Sequence, residues 1–402
     1  MNETAPNGSS PRRIRVANAV AALRLLHSVG RMSRAELARR LGLNRSSSGQ
    51  IVAELTESGL VREVEAAAGQ GEGIRSAGRP GILLELVPDA AFFAGIEIGV
   101  EHVSVVIIDL AGDARSQAII RHDAPALPVE DTVARAVDLA FGLLTPEIRP
   151  NCKGVGISAP MHIGPDGRVR LAPLIGWCDL DLSAVVPRCL PIPLPIMIEN
   201  DANAFAIGES YKHGPSGVTL FLLMETGIGG GILIDGKLFR GGHGLDGEIG
   251  HMLVPGSGGV SLEQHTGREP LVNRYRAEAG LPGADLADFI AAVRDREPVA
   301  VTIAEDWSRH LGFTLYQACR LIDPDRIVLG GSVAALYPMV SARVATHMAT
   351  RQAVDFPTPQ IVVDGDAEYG SAFGAACLLH QRFLSAEGDA LTPEENEPPP
   401  NR

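Results

Sequence analysis

Three things are missing from this 402-residue chain. No apolar run is long enough, or free enough of charge and glycine, to cross a bilayer. The opening residues, MNETAPNGSSPRR, lack the apolar stretch that follows the basic residues of a secretory signal, so a cytoplasmic address is the expectation. The five cysteines (Cys152, Cys178, Cys189, Cys319, Cys377) are scattered, odd in number and never spaced C-x-x-C. That argues against both a disulfide framework and a metal knuckle, and reduced, largely buried thiols are expected. Positive charge is also in deficit overall. A net charge of -13 speaks against a nucleic-acid partner until its distribution is considered. Residues 1–80 hold 12 Lys and Arg against 7 Asp and Glu, whereas the remainder holds 23 against 41. A basic module joined to an acidic body suits a protein that touches phosphates at one end, although a charge run alone is more often a solvated face.

What is present is ordinary globular material, 45% hydrophobic and 21% charged, and its length calls for two or three folded units. Residues 1–11 and the acidic, proline-rich residues 385–402 read as disordered tails. Between them, apolar residues at helical spacing (Val16, Ala19, Val20, Leu23, Leu26) predict a first helix that stops near Gly30. Ser33 with Glu36 three residues on forms a capping-box pattern for a second helix that ends at Gly42. Asn44 is a candidate cap for a third helix that ends near Gly59. Residues 60–65 and 81–87 read as two strands around the loop AAAGQGEGIRSAGRP.

Three short helices with a glycine-containing turn and a two-stranded wing, over residues 12–88, predict a mainly α winged helix-turn-helix. Its third helix would enter a DNA major groove N-terminus first. Arg45, Ser46, Ser47, Ser48 and Gln50 are the candidate contacts on its leading turns, while Ile51, Val52 and Leu55 face inward. Arg75 and Arg79 in the wing loop are candidates for the minor groove or its phosphates. The alternative is a three-helix module used only for assembly.

From residue 89 the character changes. FFAGIEIG, VSVVIIDL and QAIIRH read as strands, followed by a helix over 128–144 and the strand KGVGIS. A similar order recurs in GVTLFLLM, GGILID and KLFR, with Asp235-Gly236 as a hairpin turn, then helical segments and the strand RIVLGG. Two α/β lobes, 89–202 and 203–369, are expected, with a C-terminal helix over 370–384 packing back on the first. The cleft between them is the expected ligand site.

Five segments then become specific: GVGISAPMHIGPDGRV, IENDANAFAIGES, ETGIGGGILIDGKLFRGGHGLDGEIGH, SLEQHTG and IDPDRIVLGGSV. In this order they resemble the ROK family (repressors, open reading frames and sugar kinases), and with the helix-turn-helix in front the resemblance is to its repressor branch. It implies an actin-like or RNase-H-like pair of sugar-kinase lobes with a sugar in the cleft. The residues it places on the sugar are Asn200, Asp201, Glu248, His251 and Glu263, with Ser158 on a nearby loop. The chemistry suits that task, because a ring of hydroxyls that donate and accept is met by carboxylates, an amide and an imidazole. Taken singly, Glu-Asn-Asp often only caps a helix, and an isolated histidine is usually structural or exposed.

Departures from the family pattern matter as much. In the kinases the match to Asp201 is the general base, and that residue is kept. The first phosphate loop, D-x-G-G-T in the kinases, reads Glu97, Ile98, Gly99, Val100, Glu101, and the second, G-T-G, reads Glu225, Thr226, Gly227. Carboxylates in place of a hydroxyl and a glycine are expected to repel a nucleotide, so no ATP cofactor and no catalytic residue is expected. The family's zinc cysteines are replaced in VPGSGGVSLEQHTG, Ser261 taking the last position, so no metal is expected. The expected partners are a double-stranded DNA operator and a sugar or sugar-derivative effector, with no membrane, in a homodimer or higher homo-oligomer. The competing reading is an ATP-dependent sugar kinase with an accessory N-terminal domain.

Overall fold

The computed structural model describes residues 11–65, 82–214, 217–255, 258–350, 357–365 and 367–385. The N-terminal module comprises α1 (Pro11–Val29), β1 (Met32–Ser33), α2 (Arg34–Leu41), α3 (Arg45–Glu57), β2 (Val61–Glu65) and β3 (Ile82–Leu86). Its strands pair antiparallel in the order β1-β3-β2. The first helix already includes Pro11, which had been assigned to a tail; proline is at home in a first helical turn, where no N–H is needed. Ser33 caps α2 by accepting from the Glu36 N–H at 3.1 Å. The reciprocal half of the expected box is absent, because the Glu36 carboxylate turns to Arg39 and Arg40. Gly42 closes α2 at φ 63°, a left-handed position that suits glycine. Asn44 caps α3, its Oδ1 accepting from the Ser47 N–H at 2.8 Å.

The body holds two five-stranded sheets of one design. In the first lobe, β4 (Phe92–Ile98), β5 (His102–Asp109) and β6 (Ala114–Arg121) form an antiparallel meander, followed by α4 (Val129–Leu143). Strand β7 (Cys152–Ala159) leads into a small arm of β8 (His162–Ile163), β9 (Val169–Ala172) and β10 (Trp177–Leu180). Then come α5 (Leu182–Cys189) and β11 (Ile196–Asn200), and β7 and β11 extend the sheet in parallel to give β11-β7-β4-β5-β6. Helix α6 (Asp201–His213) follows.

The second lobe repeats the plan. Its meander is β12 (Val218–Met224), β13 (Ile228–Ile234) and β14 (Lys237–Leu238), and the β13–β14 turn is Asp235-Gly236 with φ 51° and 74°, both positive as a tight hairpin demands. Four helices follow: α7 (Leu262–Thr266), α8 (Arg268–Ala279), α9 (Leu286–Arg294) and α10 (Pro298–Ile322). Strand β15 (Arg326–Gly330), α11 (Tyr337–Ala349) and β16 (Gln360–Val363) complete the sheet β14-β13-β12-β15-β16, and α12 (Ala367–Phe383) closes the fold.

The two terminal helices are exchanged. Helix α12 leaves the second sheet and packs on β4, β5 and β7 of the first, while α6 leaves the first and packs on β12 and β13 of the second. The two pack on each other, so the layers run first sheet, α12, α6, second sheet. Small residues make this spacing possible. A Cβ on Gly374 would overlap the Ala204 carbonyl, and one on Gly95 or Gly156 would overlap the carbonyls of Ala372 or Ala375. Helix α12 and the first sheet thus approach each other backbone to backbone. The core of the N-terminal module is continuous with this assembly, because Ala19, Leu23 and Leu84 share one apolar cluster with Phe93, Leu110, Cys377 and Leu384.

Candidate functional site: the inter-lobe cleft and the N-terminal helix-turn-helix

Asn200 ends β11 and caps α6. Its Oδ1 accepts from the Asn203 N–H at 3.0 Å, and its Nδ2 donates to the Met161 carbonyl at 3.1 Å. The structure shows the capping role, with both polar ends of the amide bonded within the protein. Asp201 is the first residue of α6 and its Oδ1 accepts from the Ala202 N–H at 2.8 Å. Burial pushes its carboxyl up to about 7, with the nearby charges of Glu97 and Glu248 adding to the shift. Desolvation here outweighs the helix N-terminus, which by itself favours the anion.

Glu248 and His251 are placed by glycines. The loop that carries them lies backbone to backbone on β13: a Cβ on Gly230 would overlap the Gly247 carbonyl, and one on Gly250 would overlap that of Ile228. Gly247 also sits at φ 75°. The glycine-rich string is thus a requirement of close approach. His251 stands between two carboxylates, Nε2 at 3.6 Å from Glu248 and Nδ1 at 3.7 Å from Glu263. Both distances exceed a good hydrogen bond, so the polar atoms are near each other without being consumed. The second Glu263 oxygen lies 3.5 Å from the Ile228 N–H.

Adjoining this cluster is a second one that sequence reasoning did not assemble. Glu97 is buried, and its carboxylate accepts from the Ser104 hydroxyl at 2.9 Å and lies 3.6 Å from His102. Burial alone would lower His102, but the adjacent Glu97 carboxylate and the charge of Glu225 prevail and leave its pKa raised. Glu225 accepts from the Ser332 N–H at 2.5 Å and from the Ser332 hydroxyl at 2.6 Å; burial raises its pKa against these bonds. Arg268, at the start of α8, reaches across the lobes to Glu101 at 2.7 Å and donates to the Thr226 hydroxyl at 3.1 Å. A further cross-lobe pair joins Arg240 to the buried Glu199 at 2.5 Å.

Two expected contacts fail on burial. Ser158 is fully buried in β7, its hydroxyl 3.3 Å from the carbonyls of Ile96 and Ser371, because a central strand covered on both faces has no open polar side. Ser48 is 5% exposed, with its hydroxyl 3.3 Å from the Arg45 carbonyl. It shares the inward stripe of α3 with Ile51, Val52 and Leu55. Arg45, Ser46 and Gln50 are exposed and Ser47 is half-buried beside the cap. Arg75 and Arg79 lie outside the described residues.

The described residues on either side of the segment that matches the family's zinc loop are joined by hydrogen bonds. Leu253 and Ser261 form an antiparallel bridge, the Val254 and Leu262 N–H groups bond to Val260 and Met252, and the Ser261 N–H donates to Gln264 Oε1 at 3.1 Å. His251 with two carboxylates and no thiolate does not fit the family's zinc site. Among the described residues no group of three His, Cys, Asp or Glu side chains could hold a metal ion, and no helix is long and apolar enough to cross a membrane.

Comparison with known proteins follows the two-part architecture. The family model described as the ROK family matches residues 93–382, and one described as the MarR family matches residues 17–71. The xylose repressor of Bacillus spizizenii is 26% identical over 332 residues, 80% of this chain and 83% of the relative. A crystal structure of a ROK family transcriptional regulator, described as a homologue of the Escherichia coli Mlc protein, superposes with a TM-score of 0.76 at 21% identity over 93% of this chain and 98% of the other. A ROK family glucokinase from Streptomyces griseus, solved with glucose and AMPPNP, superposes with a TM-score of 0.64 at 25% identity over 72% of this chain and the whole of the other.

Proposed function

From the premise that this chain belongs to the ROK family and carries a MarR-like winged helix-turn-helix, we propose that it is a sugar-responsive DNA-binding repressor of carbohydrate-metabolism genes. Arg45, Ser46, Ser47 and Gln50 would meet the operator, and Asn200, Asp201, Glu248, His251 and Glu263 would hold the sugar. A homodimer would pair two readers on a two-fold operator.

The observation that carries the reading is the path of α6. Its first turn holds Asp201 in the cleft, and its last turn holds Tyr211, whose ring lies 5.6 Å from that of His27 on α1 of the DNA reader. Tyr211 donates to His380 Nδ1 at 3.1 Å, and His380 Nε2 lies 2.9 Å from the Leu110 carbonyl. Burial pushes His380 down to about 4, which keeps the imidazole neutral and the Tyr211 bond intact at neutral pH. One helix therefore runs from the candidate sugar residues to α1 of the DNA reader, and a sugar that favours one setting of α6 would bias the pose of α1. It does so only by its differential affinity for the two states.

Titrating sugars into the protein bound to its operator tests this. A sugar that binds is expected to change operator affinity; a bound sugar that leaves it unchanged overturns the coupling.

One observation favours the kinase reading. Asp201, raised to about 7, is poised as a general base. Against it stand Glu101 and Glu225, carboxylates in the loops that would meet the nucleotide, so we expect no turnover. Sugar-dependent ATP consumption abolished by Asp201→Asn would reverse that choice.

A further inference from the structure

In the family's kinases the cleft brings a sugar hydroxyl and a phosphoryl group together, so an effector there could be a free sugar or its phosphate ester. The groups beside Asp201 separate these possibilities. Phosphate is recognised by backbone N–H groups and by cations. Here one donor of each kind next to the sugar residues, the Ser332 N–H and the Arg268 guanidinium, is already engaged by the protein's own carboxylates.

The Ser332 N–H and hydroxyl are bonded to Glu225 at 2.5 and 2.6 Å. The Arg268 guanidinium is bonded to Glu101 at 2.7 Å and to the Thr226 hydroxyl at 3.1 Å. Glu97, buried beside them, acts on both Asp201 and Glu225.

This self-neutralised region adjoins the sugar residues directly. A Cβ on Gly227, in the Glu225–Gly227 loop, would stand 3.4 Å from Glu263 Oε2, and the Gly267 and Arg268 N–H groups bond to the carbonyls of Glu263 and Glu225. A phosphate on the hydroxyl facing Asp201 would enter a space bordered by Glu97, Glu101 and Glu225 and would have to displace one of them to gain a donor. An uncharged hydroxyl needs no such exchange.

We infer that the effector of this cleft is an uncharged sugar, and that Glu97, Glu101 and Glu225 act as an internal anion set that excludes the phosphate ester or uronate of the same sugar. The inference rests on the reading of the cleft as a sugar site. It extends that reading to the charge of the ligand.

Isothermal titration calorimetry on the full chain tests it. The probes are D-glucose with its 6-phosphate and D-glucuronate, N-acetyl-D-glucosamine with its 6-phosphate, and D-xylose with its 5-phosphate. For whichever parent sugar binds, the charged form is expected to bind about tenfold more weakly or worse. In the Glu101→Gln/Glu225→Gln variant the ratio of ester affinity to parent affinity is expected to rise about tenfold, as Arg268 and Ser332 are released. An ester that binds the unaltered protein as tightly as its parent overturns the inference and leaves the sugar-site reading standing. A ratio unmoved in a variant that still binds the parent overturns the role given to these carboxylates. If no probe of either kind binds, the sugar-site reading falls and the inference falls with it.

Discussion

The two halves of the cleft are built from similar side chains and kept in opposite states. In the half proposed to hold a sugar, His251 stands 3.6 and 3.7 Å from Glu248 and Glu263, close enough to feel them and too far to be spent on them. In the adjoining half, Glu225 is bonded twice by Ser332, at 2.5 and 2.6 Å, and the more exposed Glu101 pairs with Arg268 at 2.7 Å. Polar groups near water and short of a partner are available to a ligand; groups that satisfy each other are not, because a ligand must first break what they have. The contrast separates a place kept for binding from a place occupied by the protein itself.

The comparison can be broken most directly from the sugar half. Glu263→Ala or His251→Ala removes a charge-assisted partner, and sugar affinity measured by calorimetry is expected to fall about 10- to 100-fold, in line with the 1.5–3 kcal/mol of such bonds. Unchanged affinity would mean that the loose geometry is only a solvated surface.

A smaller effect tests the partly buried carboxyl between the halves. Because the folded pKa of Asp201 stands near 7, above the ordinary value of an unfolded aspartate, the native state holds its proton longer. Stability is then lost as pH rises from about 4 to 7. Asp201→Asn is expected to flatten that slope and to stabilise the protein at pH 8 by about 1–2 kcal/mol, after allowance for the carboxylate's contact with solvent. Thermal unfolding of both forms from pH 5 to 8 measures it; parallel curves would contradict it.

The smallest effect belongs to the self-satisfied half. Glu101 is largely exposed, so its pair with Arg268 contributes about 0–1 kcal/mol, and Arg268→Ala should lower the melting temperature by a few degrees at most. If this variant loses as much sugar affinity as Glu263→Ala, the two halves do not differ as described.

What the sequence disclosed was local. The caps at Ser33 and Asn44, the stop at Gly42 and the Asp235-Gly236 turn were legible because each depends on chemistry within a few residues. The repeated strand order was legible as well, since buried strands such as Phe92–Ile98 read as apolar runs. The two errors are instructive in different ways. Ser48 was recoverable, because its spacing to Ile51, Val52 and Leu55 puts it on the inward stripe whatever its polarity. Ser158 was not, since its carbonyl partners at Ile96 and Ser371 come from another strand and a distant helix. The same holds for Glu101 with Arg268, Glu199 with Arg240 and Glu225 with Ser332. Such pairs leave no periodic trace, and only the meeting of the lobes brings them together.

The exchange of terminal helices also sets an order of assembly. The DNA reader is synthesised before the body, yet Arg24 on α1 bonds to the Leu384 carbonyl at 2.5 Å and Leu23 shares its apolar cluster with Cys377 and Leu384. The face of the first sheet covered by Ala372 and Ala376 likewise waits for α12. The N-terminal module and first sheet therefore carry uncovered apolar surface throughout synthesis of the second lobe. A nascent chain halted before Ala367 would keep the packing of the helix-turn-helix on Phe93 and Leu110 but lack its packing on Cys377 and Leu384, so that the proposed coupling between cleft and operator would be completed only with α12.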